Sequence, residues 1–120
     1  MDKITICDLE VFYRVGVPDE ERAQPQRLLV TVEMAQDFSA AVASDGLTGT
    51  IDYHAVVQRL LQFGERRSWK LIERVAAEIA EMVLTEFRAQ AVFVEVKKFI
   101  LPETRYVSVS LTRNRQPNRV

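Results

Sequence analysis

From Ala91 to Ile100 the chain alternates with a period of two: Val92, Val94, Val96 and Ile100 share one face of a predicted strand, and Lys98 falls in the same phase. A cation is thereby aimed at the core. It must reach solvent, pair with an anion or accept a lowered pKa, and the last two outcomes suit a site of proton transfer. The plain alternative is that Lys98 ends its strand and snorkels outward. Lys97 lies instead with Glu95 on the alternate face, an ordinary place for charge, although Phe93 and Phe99 leave that face only partly polar.

The same pattern lays out the rest of the chain. Ile4 and Ile6 keep one phase while Leu9, Val11 and Tyr13 keep the other, so the first strand, Lys3 to Tyr13, needs a bulge near Cys7 and Asp8. A charged loop from Arg14 to Pro25 follows. A second strand from Arg27 to about Asp37, with Leu28, Val30, Val32 and Met34 inward, should pair with the first as an antiparallel hairpin. The Ala-rich stretch from Phe38 to Gly49 has room for one short helical turn before Asp45-Gly46. Asp52 is placed as N-cap of a helix whose apolar face is Tyr53, Val56, Val57, Leu60, Leu61 and Gly64. Ser68 is placed as N-cap of a second helix, Trp69 to Phe87, with Leu71, Ile72, Val75, Ile79, Met82 and Val83 inward. Strands Val92–Phe99 and Tyr106–Arg113 close the pattern, and a polar tail from Asn114 to Val120 is expected to fray.

Two strands, two helices and two strands predict one α+β domain over residues 1–120, a four-stranded antiparallel sheet with both helices on one face. Two open edges and a second face carrying Leu29, Phe93 and Phe99 are poorly suited to a monomer. Joining sheets edge to edge into a barrel covers both, which predicts a ring-shaped homo-oligomer.

Composition narrows the chemistry. Sixteen basic against 17 acidic residues leave a formal charge of −1, so no global field recruits nucleic acid or a membrane surface. No long apolar run follows Asp2 and Lys3, and the protein is expected to be cytoplasmic. Cys7 and His54 are the only residues of their kinds, a poor start for a disulfide, a zinc centre or a Cys-His or Ser-His pair. No metal is expected.

Glu73 borders the apolar stripe of the second helix, with Ala76, Ala77 and Ala80 around it leaving room for something flat. It also stands in the first turn, where the helix dipole favours an anion, and that alone accounts for an acid there. A carboxylate accepts two parallel hydrogen bonds, which matches the amidine edge of guanine or a pterin. Tyr53 is expected on the buried side of its helix with its hydroxyl seeking a partner. Asp19, Glu20 and Glu21 form the acidic part of the loop, most simply a solvated turn.

The motifs Asp8-Leu9-Glu10-Val11-Phe12, Val15-Gly16-Val17-Pro18, Glu20-Glu21 with Gln26, Asp45 with Leu47, Thr50-Ile51-Asp52-Tyr53, Leu71-Ile72-Glu73-Arg74-Val75-Ala76 and Val94-Glu95-Val96-Lys97-Lys98 resemble, in order and spacing, those of the dihydroneopterin aldolase family. The resemblance covers nearly the whole chain. It implies the tunnelling fold, with subunits in tetrameric rings that usually stack to octamers. It places the pterin anchor on Glu73, with backbone near Ile72 and Ile51 helping, the essential lysine on Lys98, the tyrosine acid or base on Tyr53 and the loop glutamate on Glu21. The counterpart of Tyr53 reaches the site from the adjacent subunit. A retro-aldol step needs a base and an electron sink, and a dihydropterin carries its own sink in a ring C=N, so no cofactor is implied. Val15 and Phe99 depart from the family pattern, where His and Pro are frequent. The alternatives are an epimerase of dihydroneopterin or its triphosphate, and a non-catalytic pterin- or purine-binding oligomer.

Overall fold

The phase change in the first strand is a β-bulge. In the computed structural model, which describes residues 1–116, β1 (Asp2–Val15) pairs antiparallel with β2 (Gln26–Gln36), and the register shifts between Ile6 and Leu9. Asp8 absorbs the extra residue at φ 53°, and its N–H donates to Thr31 Oγ1 at 3.0 Å. The bulge keeps Ile4, Ile6, Leu9, Val11, Tyr13 and Val15 against the core on both sides of the slip. β2 pairs with β4 (Ala91–Lys98), and β4 with β5 (Val107–Asn114), both antiparallel.

A fifth strand corrects the expected four. Ser68 and Trp69, β3, run parallel to Arg14 and Val15, giving the order β3-β1-β2-β4-β5. Ser68 spends its backbone on that pairing rather than on a helix cap. The helix that follows, α4, therefore starts three residues later than expected, at Ile72, and runs to Glu86 with Leu71 in the N-cap position. The charged loop is also partly ordered, for Asp19–Arg22 form a one-turn helix, α1. The Ala-rich segment contains α2, Ser39–Ser44, and Asp45 closes it in the left-handed conformation at φ 53°.

Helix α3 (Tyr53–Gln62) is capped as expected, with Asp52 accepting from the Ala55 N–H at 3.2 Å. Its apolar stripe is wider than the sheet can cover. Val56 and Leu60 are buried, whereas the adjoining row carries Tyr53 and Leu61 outward, 60% and 47% exposed. The expectation that Tyr53 faces the interior is thus wrong within one protomer, since no sheet lies beneath its row. Leu71, at 48%, is likewise outside.

The core is one cluster in which Leu28, Val30, Val32, Met34, Val92, Val94 and Val96 meet Val56, Leu60, Val75, Ile79 and Val83. Tyr13 anchors its upper end. Its hydroxyl donates to Leu60 O at 2.6 Å, and burial pushes its pKa up, which keeps it a donor. Tyr13 also contacts Trp69 and Phe63, whose rings stack at 5.9 Å. At the other end of the chain, Asn114 still belongs to β5 and the Arg115 N–H donates to Gln90 O at 2.8 Å, so the expected fraying does not begin there. Residues 117–120 lie outside the described residues.

Candidate active site

Lys98 pairs in register with Leu28 and Val107, in the row that holds Val92, Val94 and Val96, so its side chain leaves the sheet on the helix face. The side chain is only 13% exposed, and the snorkelling alternative is thereby excluded. Its partner is Glu21: Nζ stands 2.6 Å from Oε2, and the Glu21 side chain is 20% exposed. The contact is an ion pair rather than an aligned hydrogen bond, because Oε2 is buried with no donor in hydrogen-bonding geometry. An amine and a carboxylate held this way can pass a proton or charge to a third group placed between them.

Glu21 reaches Lys98 because its loop is tied down. Arg22 Nη1 donates to Gly16 O and Val17 O, each at 2.7 Å, and Arg22 also pairs with Asp19. Arg14 donates to Ala23 O across the base of the loop. The Gly16 N–H donates to Trp69 O at 3.0 Å, linking this loop to the strand that leads into α4.

That link fixes where Glu73 lies. α4 starts three residues beyond Trp69, at the same end of the sheet as Gly16, Glu21 and Lys98. Ile72 is buried and Glu73 is exposed in the first helical turn, above the buried Ala76 and Ala80. The nearby arginines are already engaged: Arg74 donates to Glu78 at 2.7 Å, and Arg67 pairs with the same carboxyl. Burial works to raise the Glu78 pKa, but the Arg74 and Arg67 contacts outweigh it and hold the carboxyl below its usual range. Arg74 is thus turned toward Glu78 rather than toward Glu73. A cleft of about 490 Å³ lined by Arg67, Ser68, Trp69, Lys70, Leu71, Arg74 and Glu78 flanks the helix start.

Ile51 and Tyr53 are not brought to this end. Leu60 is bonded to Tyr13 near the end of β1, while Thr50 and Ile4 line one cleft near its beginning. Helix α3 therefore runs along β1 with Tyr53 toward the strand's start. Lys98 sits beside Leu28, which pairs with Val11, seven residues and roughly 20 Å of strand beyond Ile4. Four of the six sequence-chosen residues, Lys98, Glu21, Glu73 and Ile72, share one end of the protomer; Tyr53 and Ile51 lie toward the other. Ile51 is 3% exposed, so what it offers a ligand is backbone rather than side chain.

Sequence reasoning missed Gly16 and Arg22 as builders of the site. Their signal is faint, because the bonds from Arg22 to Gly16 O and Val17 O arise only once the loop has folded. Among the described residues, no group of three or more His, Cys, Asp or Glu side chains could hold a metal ion. No helix among them is long and apolar enough to cross a membrane.

The sequence and the fold have parallels in known proteins. The family model for FolB, dihydroneopterin aldolase, matches residues 4–112. A dihydroneopterin aldolase of Haemophilus influenzae is 32% identical over 114 residues, covering 94% of this chain and 97% of the relative. The crystal structure of a FolB protein from Vibrio cholerae superposes with a TM-score of 0.90 at 36% identity, over 96% of this chain and 98% of the other. That of the Escherichia coli dihydroneopterin aldolase in complex with neopterin superposes at 0.88 and 30% identity, over 95% and 100%. The chain described here belongs to the FolB dihydroneopterin aldolase family.

Proposed function

We propose that the protein cleaves 7,8-dihydroneopterin by a retro-aldol reaction, giving 6-hydroxymethyl-7,8-dihydropterin and glycolaldehyde. The observation that carries this reading is the Lys98–Glu21 pair, an inward amine and carboxylate 2.6 Å apart at the sheet end where α4 presents Glu73. Glu73 accepts the 2-amino and N3 hydrogens of the pterin, with backbone near Ile72 and Ile51 holding the ring. A base takes the proton of the C2′ hydroxyl. The C1′–C2′ bond breaks, and its electron pair flows into the ring C=N as C2′ becomes the aldehyde carbon of glycolaldehyde. Lys98 stabilises the charge gathering near N5, and Glu21 orients water and the side-chain hydroxyls. Tyr53, through an ordered water, returns a proton to C1′.

Tyr53 and the Ile51 backbone belong to this set only if a second copy supplies them, since Lys98 of the same protomer is at the other end of the sheet. The edges support such a contact. β3 covers β1 only at Arg14 and Val15, leaving Asp2–Tyr13 open to a neighbour, and β5 is the opposite edge. Pairing β1 of one protomer with β5 of the next closes a tunnelling-fold ring of four, which stacks to eight and carries its sites at subunit junctions. Exposed Tyr53 and Leu71 are then interface residues.

The test is to incubate purified protein with 7,8-dihydroneopterin and follow glycolaldehyde and the C2′ isomer by chromatography. Glycolaldehyde release is the expected result. Isomer alone makes the protein an epimerase, and neither product reduces it to a binder.

A further inference from the structure

Glu21 lies flat across Gly16. A Cβ built on Gly16 would stand 2.5 Å from both Glu21 Cγ and Glu21 Oε1, with Cδ nearer still, so the carboxylate reaches Lys98 through space that any other residue would fill. The backbone at Gly16 has little freedom to yield. Its N–H is bonded to Trp69 O at 3.0 Å, its carbonyl accepts from Arg22 at 2.7 Å, and the residue is buried. Glu21, by contrast, meets the intruding atom with a flexible side chain from Cγ outward rather than with backbone. Among the described residues its side chain pairs with Lys98 alone, and its other anchor is the backbone bond from its N–H to Pro18 O at 3.1 Å. The clash is therefore resolved by rotating the carboxylate away while the fold stands.

We propose that Gly16 and Arg22 are positioning residues for Glu21. Gly16 vacates the floor on which the carboxylate rests, and Arg22 closes the loop Gly16–Arg22 by clasping Gly16 O, Val17 O and Asp19. The proposal rests on the reading of Lys98 and Glu21 given above. It extends that reading to two residues that never touch the substrate: the site tolerates no side chain at 16 because one would separate its acid from its amine.

A double-mutant cycle on turnover tests it. Glu21→Ala and Gly16→Ala are each expected to lower kcat by about 10- to 100-fold, and the combined variant to be no slower than Glu21→Ala alone, since both remove the same placed carboxylate. KM for 7,8-dihydroneopterin should stay within about threefold, because Glu73 is untouched. Wild-type kcat in Gly16→Ala, or losses that multiply in the combined variant, overturns the proposal. Should Gly16→Ala not fold, Arg22→Met loosens the same seat with Gly16 in place, and the same non-additivity with Glu21→Ala is expected. A crystal structure of Gly16→Ala, or of Arg22→Met in its stead, separates this inference from the functional reading. Glu21 is expected more than 4 Å from Lys98, and a retained 2.6 Å contact sinks the seat whatever the activity. If the wild type releases neither glycolaldehyde nor isomer, the functional reading falls and that distance alone decides the positioning claim.

Discussion

Lys97 and Lys98 are neighbours in sequence and opposites in the fold. Each pairs with one carboxylate, Lys97 Nζ with Asp8 at 3.0 Å and Lys98 Nζ with Glu21 at 2.6 Å, and each side chain is less than one-fifth exposed. The difference lies in what holds the acid. Asp8 belongs to the bulge of β1, tied to Thr31 through both its N–H and its carboxylate, and Lys97 lies 4.9 Å from the centre of the Tyr106 ring. That pair is built into the sheet. Glu21 hangs on a one-turn helix whose place depends on Arg22 and on an absent side chain at Gly16. Ion-pair chemistry alone does not distinguish the two contacts; what holds each acid in place does.

Removing each amine in turn gives the largest contrast. Lys98→Ala is expected to lower kcat by about 10³-fold, the cost of a lost charge-stabilising donor, while neopterin affinity changes by no more than about threefold. Steady-state kinetics beside a neopterin titration measure both. Near-normal turnover would mean that the inward lysine is a packing accident. Next in size, Glu73→Gln keeps the shape of the anchor but loses its charge, and neopterin binding should weaken by about 10- to 100-fold with a smaller effect on saturated turnover. A loss confined to kcat would move Glu73 from anchor to acid–base group.

How far these roles could be read in advance follows from where each signal is written. Lys98 was legible because a strand has a strict period, and one charge out of phase is visible without any partner. The bulge at Asp8 was legible for the same reason, and the Asp52 cap because capping depends on a side chain beside its own helix start. Ser68-Trp69 was not, because two residues make a strand only when Arg14 and Val15 arrive beside them, and by themselves they look like a helix start. Tyr53 misled because helical periodicity states that a residue belongs to an apolar stripe and says nothing of which part of that stripe the sheet can reach. The seat of Glu21 was least visible of all, since it is made of backbone carbonyls and an absent Cβ.

Two glycines sharpen the contrast between framework and site. A Cβ at Gly64 would stand 2.6 Å from Tyr13 Cδ1, just as one at Gly16 would strike Glu21. Tyr13, however, is 1% exposed, packed against Phe63 and Trp69 and bonded to Leu60 O, so it has nowhere to turn. Gly64→Ala is therefore expected to cost about 1–3 kcal/mol of stability, read by urea denaturation, with turnover of the folded fraction preserved. Gly16→Ala should do the reverse. If both variants lose stability alike and neither loses turnover, the distinction between a yielding and an unyielding neighbour fails.

The smallest effect belongs to Lys97. Its hydrogen bond to Asp8 raises its pKa; burial opposes this, and the Asp8 charge and neighbouring Tyr106 and Glu95 add to the rise. A folded pKa lying above the ordinary lysine value of 10.5 stabilises the protein fully below that pH, and the contribution is lost as pH climbs through the folded value. Lys97→Met should accordingly shift the urea midpoint by less than Gly64→Ala does, by a constant amount between about pH 6 and 9, and the gap to wild type should close in more alkaline solution. Turnover should stay within about twofold, because the amine faces the sheet surface opposite α4 and its acid is not the loop acid. A Lys97→Met variant as slow as Lys98→Ala would show that the two faces are not chemically separate, and that the charge of the strand rather than the placement of one amine drives the reaction.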